Sequence, residues 1–291
     1  MDDIVAGKDN GSMNRNEIKL IALDLDGTAL TSEKVMTGRT KAAVAAATKK
    51  GIEVVVASGR SRDGALLVSS DLSGMHYMIA SNGASALELA TGRVIYGAYI
   101  KPERAADLLD KLLTLGVMGD IYYDGGALSD YRNYRYVTQE KNGFPKWFLE
   151  YFTANRKPVE NLLGMLRAGK IPNVEKVTVS FDDMQLREKA FKLMEDETGL
   201  SIVAGSPFNM EISQENATKG KALTALAEAL GIDMKNVMAI GDTGNDVSMI
   251  EAAGFGVAMG NASAQIRELA DVVTATNDED GAAMAIERFA L

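Results

Sequence analysis

Two aspartates, Asp24 and Asp26, stand where the apolar run 18–23 ends, with Gly27 and Thr28 directly after them. Carboxylates at the end of a buried strand lose hydration, a cost that a cation, a counter-charge or a reaction must offset. Three more segments place polar residues after an apolar run or at the start of a helix: Ser58-Gly59-Arg60, Lys219-Gly220-Lys221, and Gly241-Asp242-Thr243-Gly244-Asn245-Asp246. The carboxyl ends of parallel strands converge on one crevice. That crevice would gather the carboxylates of Asp24, Asp26, Asp242 and Asp246 with one or two lysines and a hydroxyl. Oxygen donors without imidazole or thiolate favour Mg²⁺. A phosphate monoester suits the set, because a dianion approaching aspartates needs a metal, an ammonium and backbone N–H donors to offset repulsion. Gly27, Gly59 and Gly241 would let backbone come close.

The elements that must position these residues follow from periodicity. Residues 18–23 read as a strand, the Ala-rich 38–50 as a helix and 53–57 as a second strand, a β-α-β unit. A third apolar run, 77–80, ends in Ser81-Asn82-Gly83. Beyond Ala84 the texture shifts to aromatics and mixed charge. The α/β rhythm returns with a helix at 220–230, a strand at 237–240, a helix at 246–253 and strands at 256–259 and 271–274. An α/β parallel-sheet core of 17–85 and 214–291, interrupted by an α+β domain at 86–213, is therefore predicted. Residues 1–16 read as a disordered tail or a cloning remnant. Lys157-Pro158 and Ile171-Pro172 read as loop punctuation within the insert.

Composition narrows the function classes. The 291 residues carry 31 Lys and Arg against 40 Asp and Glu, a formal charge of −9, with no basic stripe. Nucleic acid and anionic membranes are poor partners for such a chain. There is no cysteine and a single histidine, His76, so thiolate sites, disulfides and multi-imidazole centres are excluded by inventory. No secretory signal is visible, and no apolar run approaches the ~20 residues of a membrane span. A cytoplasmic monomer with no obligate protein partner is the expectation.

The four polar segments, in order, resemble the haloacid dehalogenase superfamily, whose phosphatases share an Asp-x-Asp-Gly-Thr motif, a Ser/Thr, a Lys and a Gly-Asp-x-x-x-Asp motif. The strings Ser81-Asn82-Gly83-Ala84, Lys219-Gly220, Gly241 to Asp246 and Val257-Ala258-Met259-Gly260-Asn261-Ala262 are similar to the Cof-type branch. The resemblance implies a doubly wound, Rossmann-like core with a type IIB cap. It also implies a phosphatase of small phosphate esters, with Asp24 as the nucleophile that forms an aspartyl-phosphate. Asp26 would be the acid and base, Ser58 a donor to the phosphoryl group, and Lys219 its counter-charge. Asp242 and the Asp26 carbonyl would join Asp24 as Mg²⁺ ligands, with Asp246 a ligand or just behind one. Asn245 would orient ligands or metal-bound water, and Thr28 would brace the loop. Gly27, Gly59, Arg60, Asn82 and Gly83 are candidate substrate contacts at the rim. One expectation concerns the two aspartates together, with Asp24 held ionised and Asp26 held protonated.

Rival readings are weaker. A calcium loop needs its Gly later and Glu at position twelve, where Val35 stands. Gly254, Gly256 and Gly260 have the wrong spacing for a dinucleotide fingerprint and lead into a strand. Asp26 argues against dehalogenases, which lack that acid, and against transport ATPases, which place Thr there. A phosphomutase and a non-catalytic phosphometabolite sensor remain as alternatives. Trp147, Phe148, Tyr151 and Phe152 fall at helical spacing and read as a core face. The segment 131–136 is a solvated edge or a ligand contact if it forms a strand.

Overall fold

The computed structural model describes residues 5–6, 18–72, 74–117, 119–139 and 143–291. They form two compact units. The first takes in the described residues up to Arg60, then Ala65–Gly97 and Thr218–Leu291; the second is Ser61–Gly64 with Ala98–Ala217.

In chain order the first stretch gives β1 (Val5–Ala6), β2 (Leu20–Leu23), α1 (Gly38–Lys49), β3 (Glu53–Ala57), α2 (Arg62–Ser69), β4 (Tyr77–Ala80), β5 (Ser85–Glu88) and β6 (Val94–Gly97). The insert follows with α3 (Pro102–Leu113), β7 (Gly119–Tyr123), β8 (Gly126–Asp130), α4 (Tyr131–Thr138), α5 (Lys146–Asn155), β9 (Arg156–Val159), α6 (Leu162–Arg167), β10 (Lys176–Ser180), α7 (Met184–Met194), β11 (Leu200–Val203) and β12 (Asn209–Gln214). The chain closes with α8 (Lys219–Ala229), β13 (Val237–Gly241), α9 (Val247–Ala252), β14 (Phe255–Ala258), α10 (Ala264–Leu269), β15 (Val272–Val273) and α11 (Gly281–Phe289).

The core sheet runs β1-β15-β14-β13-β2-β3-β4-β5-β6, parallel from β15 through β4. Every residue of β2, β13 and β14 is buried, as expected of strands covered on both faces. The order reverses between β2 and β13, the switch point of a doubly wound sheet. Leu23 pairs with Val56 on one side and with Ile240 on the other. Asp24, Ser58 and Asp242, which follow these strands, therefore emerge at one edge. Helix α1 starts at Thr37, whose hydroxyl accepts from Thr40 N at 3.1 Å, and it buries Thr40, Ala43, Val44 and Ala47, an i, i+3, i+4, i+7 stripe.

The insert's sheet runs β11-β12-β10-β7-β8-β9, antiparallel except for β8 with β9. One face carries Ile121, Val177, Val179, Met210 and Ile212 against Leu108, Leu109 and Leu112 of α3, Leu166 of α6 and Met194 of α7. A separate aromatic cluster joins Val137 of α4 to Phe144, Phe148 and Phe152.

Several expectations need correction. The insert begins at Ala98 and not at 86, because β5 pairs antiparallel with β4 and β6 antiparallel with β5, extending the core sheet, and it ends at Ala217 rather than 213. Within the expected tail 1–16, Val5–Ala6 is a short edge strand on β15; the rest lies outside the described residues. Pro158 sits in β9, an edge strand where a missing N–H is tolerated. Residues 131–136 belong to helix α4, because Asp130 caps it by accepting from Arg132 N at 3.0 Å. On α5, Phe148 and Phe152 are buried as expected, whereas Trp147 is exposed. Among the described residues no helix is long and apolar enough to cross a membrane.

Candidate active site

The loop after β2 is tightly wound. Ala29 N donates to Asp24 O at 3.2 Å and Leu30 N to Leu25 O at 2.8 Å. Gly27 adopts a φ of +86°, and a Cβ there would lie 2.3 Å from Asp242 Oδ2. The glycine is required by conformation and by contact. Thr28 Oγ1 donates to Asp242 Oδ1 at 3.0 Å, tying this loop to the one after β13.

Lys219 opens α8, whose N-cap Thr218 accepts from Lys221 N at 3.2 Å. An ammonium at a helix N-terminus opposes the helix dipole, and this one is fully buried. Two carboxylates offset that cost: Lys219 Nζ lies 2.5 Å from Asp24 Oδ1 and 2.6 Å from Asp246 Oδ1. The other oxygen of Asp246 accepts from the backbone N–H groups of Asp242 at 2.9 Å and Thr243 at 3.0 Å. Asp24, Asp242 and Asp246 offer oxygens within 4.8 Å of one another.

Burial, then the nearby Asp246, pushes the Asp24 carboxyl well above the usual carboxylate range, against the pull of Lys219. Burial and Asp246 likewise push Asp242 up to about 6, against the Thr28 hydrogen bond. Burial alone would depress Lys219, but Asp24 and Asp246 outweigh it and hold the ammonium protonated. Three buried carboxylates around one ammonium leave surplus negative charge, so the donor set fits a hard divalent cation.

Asp26 stands apart from that trio. Arg60 grips it with a fork, Nε to Oδ2 at 2.7 Å and Nη2 to Oδ1 at 2.8 Å, and Lys34 Nζ adds a contact at 3.0 Å. Burial would raise this carboxyl, yet the Arg60 hydrogen bonds and charge, with Lys34, lower it to about 2. Asp26 is thus held as a carboxylate by this pair of cations, not as the protonated acid expected. Arg60, a candidate substrate contact, is here the counter-ion of Asp26.

The remaining rim residues divide. Ser58 Oγ accepts from Arg60 N at 3.1 Å. Asn245 Nδ2 donates to Asn82 Oδ1 at 3.0 Å, and Gly59 is packed against the same Asn82 oxygen, which a Cβ would approach to 2.6 Å. Gly83 is buried, and a Cβ on it would lie 2.2 Å from Thr218 O, so it seats the start of α8. Lys34 and Asn261 escaped the sequence reading. Asn261 Nδ2 bridges Gly27 O at 2.8 Å and Asp242 Oδ2 at 3.4 Å. The string around Asn261 was a visible signal; Lys34 had none.

Residues 21–286 match the family model of haloacid dehalogenase-like hydrolase. The phosphatase YwpJ of Bacillus subtilis (strain 168) is 33% identical over 91% of this chain and 98% of its own length. The pyridoxal phosphate phosphatase YbhA of Escherichia coli (strain K12) is 30% identical over 92% of this chain and 97% of its own. A solved haloacid dehalogenase-like hydrolase from B. subtilis superposes with a TM-score of 0.79 at 30% identity, over 93% of this chain and 99% of that one. The likeness spans both units, including the strand ends that carry the carboxylates, and this chain belongs to the haloacid dehalogenase-like hydrolase family, among its Cof-type phosphatases.

Proposed function

We propose that this chain is a Mg²⁺-dependent phosphatase of small phosphorylated metabolites, sugar phosphates or cofactor phosphates, acting through an aspartyl-phosphate on Asp24. The observation that carries the reading is the buried group of Asp24, Asp242 and Asp246 around Lys219. Relatives support the substrate class: one acts on pyridoxal phosphate, and another, 29% identical, on 5-amino-6-(5-phospho-D-ribitylamino)uracil.

Asp24, Asp242 and the Asp26 carbonyl would hold the ion. Asp246 braces them, since both of its oxygens already accept hydrogen bonds. Bound Mg²⁺ would supply positive charge to the phosphoryl oxygens. Asp24 attacks phosphorus as the ester P–O bond breaks, and the departing oxygen takes a proton from Asp26. Asp26, now a carboxylate, takes a proton from water whose oxygen attacks phosphorus. The bond to Asp24 then breaks, releasing inorganic phosphate and restoring both aspartates. Lys219 offsets the charge on Asp24 and the transferred group. Ser58, whose oxygen accepts from Arg60 N, has its own O–H to donate to that group.

Phosphate release from a metabolite panel tests the reading. The expected result is Mg²⁺-dependent hydrolysis that Asp24→Asn abolishes while substrate binding persists. Undiminished turnover after exhaustive chelation would overturn the metal assignment. Return of the phosphoryl group to a sugar would identify a phosphomutase, and binding without turnover a sensor.

A further inference from the structure

Asn261 stands at a further strand end of the core sheet. Strand β14 runs parallel to β13, with Ala258 beside Gly241, so the turn that follows it emerges at the edge that carries Asp242. The backbone of this turn is bonded to the segment ahead of it: Met259 N donates to Gly241 O at 3.0 Å and Ser263 N to Asp242 O at 3.4 Å. On its other side Gly260 N donates to Ala275 O at 3.0 Å, and a Cβ on Gly260 would lie 2.9 Å from the backbone of Ala275 and Thr276. The turn has little room to shift.

The Asn261 side chain joins three loops. Its Nδ2 meets Gly27 O at 2.8 Å and Asp242 Oδ2 at 3.4 Å, and its Oδ1 accepts from Asn277 N at 3.0 Å. A primary amide has two N–H donors on one arm and an acceptor on the other, which matches two acceptors facing the nitrogen and one donor facing the oxygen. Flipped, it would set its oxygen against two other oxygens. The residue is exposed, so it adds little to the core and acts on its neighbours' orientation.

Two groups of the site are oriented in this way. Asp242 receives Thr28 Oγ1 on Oδ1 and Asn261 Nδ2 on Oδ2. With a donor on each oxygen the carboxylate loses its freedom to rotate, yet both oxygens keep lone pairs for a cation. Gly27 O, one peptide beyond the Asp26 carbonyl, is fixed by the same nitrogen. The far end of the loop after β2 is tied down as well. Asn277 Nδ2 donates to Leu30 O at 2.9 Å, and the Asp278 carboxylate accepts from Ser32 N at 2.7 Å and Ser32 Oγ at 2.6 Å. Rigidity of this kind discriminates between cations, because Mg²⁺ demands near-ideal octahedral geometry whereas Ca²⁺ tolerates irregular arrangements of its oxygens.

We propose that Asn261 is a positioning residue that makes the acidic site selective for Mg²⁺ over Ca²⁺, by fixing the Asp242 carboxylate and the Gly27 peptide. The inference rests on the metal reading above and adds to it a residue outside the acidic cluster. Charge does not account for the role, since the amide is neutral and its removal leaves three carboxylates and Lys219 in place. Losing the amide changes how closely the oxygens are held to one arrangement, not how strongly they attract a cation. The ion with the stricter geometry is therefore the one that suffers.

Calorimetric titration of the full chain with Mg²⁺ and, separately, with Ca²⁺ tests this without any turnover. In Asn261→Ala the Mg²⁺ dissociation constant should rise roughly tenfold or more, while that for Ca²⁺ changes far less, so the preference for Mg²⁺ falls. Asn277→Ala removes the tie to Leu30 but keeps the N–H that Asn261 accepts, and it should alter the preference far less. Equal weakening of both ions in Asn261→Ala, or an equal loss of preference in Asn277→Ala, would reveal a general loosening of the loops and overturn the proposal. Parental Mg²⁺ affinity in Asn261→Ala would overturn it too. Should that variant fail to fold, Asn261→Asp decides the matter. It keeps the shape and the acceptor for Asn277 N but sets an oxygen against Gly27 O and Asp242 Oδ2; its added charge draws both ions, so the readout is their ratio, which should again shift towards Ca²⁺. A parent chain that binds neither ion would sink the metal reading and this inference with it, whereas Mg²⁺ binding by the parent with an unchanged ratio in the variants sinks the inference alone.

Discussion

At the scale of residues, the tightest constraint falls on Asp26. The proton-donating role proposed for it requires the acid form, yet Arg60 and Lys34 hold it as a carboxylate near a pKa of about 2. The Arg60 fork must therefore open, or its charge be drawn to the substrate phosphate, before the leaving oxygen can be protonated. Arg60→Ala should leave metal affinity intact and lower kcat by about tenfold or more, because the carboxylate loses its fixed orientation. Asp26→Asn should lose about 10²–10⁴. Steady-state kinetics with independently measured Mg²⁺ affinity separates the two, and an Arg60→Ala enzyme with parental kcat would show that the fork does not matter. Asp24, Lys219 and Asp242 were legible because motif residues occur at fixed offsets from strand ends and helix starts. Lys34 was not, since it reaches Asp26 from a loop residue with a left-handed φ of 62° that no periodicity marks.

Elements matter at the next scale because the site depends on how α8 is seated. Gly83 presses on Thr218 O, and Gly220 presses on Ser248 O, where a Cβ would lie 2.1 Å away. Ser248 also receives Gly220 N on its hydroxyl at 3.0 Å. Backbone atoms cannot yield as a flexible side chain would, so Gly220→Ala must displace α8 from α9 and move Lys219 with it. The expected cost is about 2 kcal/mol or more of stability, read by denaturant unfolding, with kcat falling alongside; an unperturbed midpoint would show that the helices have room to part. The sequence made the parallel strands plain because their apolar runs are continuous. It hid the β5–β6 hairpin, in which β5 is buried but the edge strand β6 is largely exposed, and it hid α4, where the N-cap Asp130 outweighs the β-favouring tyrosines.

For the whole molecule, the surplus of buried negative charge links stability to pH and to metal. Asp242 is raised from 3.8 to about 6 in the metal-free chain, and Asp24 shifts in the same direction. Between those values the folded state binds more protons than the unfolded chain, so this contribution is fully present below about pH 4 and is lost as pH rises through 6. Asp26 has the opposite sign: its depressed carboxyl contributes above pH 3.8 and is lost only as pH falls towards 2. The interval from pH 5 to 7 therefore samples the acidic cluster, together with the buried Asp120 of the insert, which burial also raises; forcing Asp242 to ionise costs on the order of 3 kcal/mol. A divalent cation replaces the missing positive charge and stabilises the ionised form, so saturating Mg²⁺ should raise the melting temperature more at pH 7 than at pH 5. Calorimetry of metal-free and Mg²⁺-loaded protein at both values measures the difference. Equal gains at the two pH values would place the ion elsewhere, and Asp242→Asn should both stabilise the metal-free chain at pH 7 and erase most of the Mg²⁺ effect.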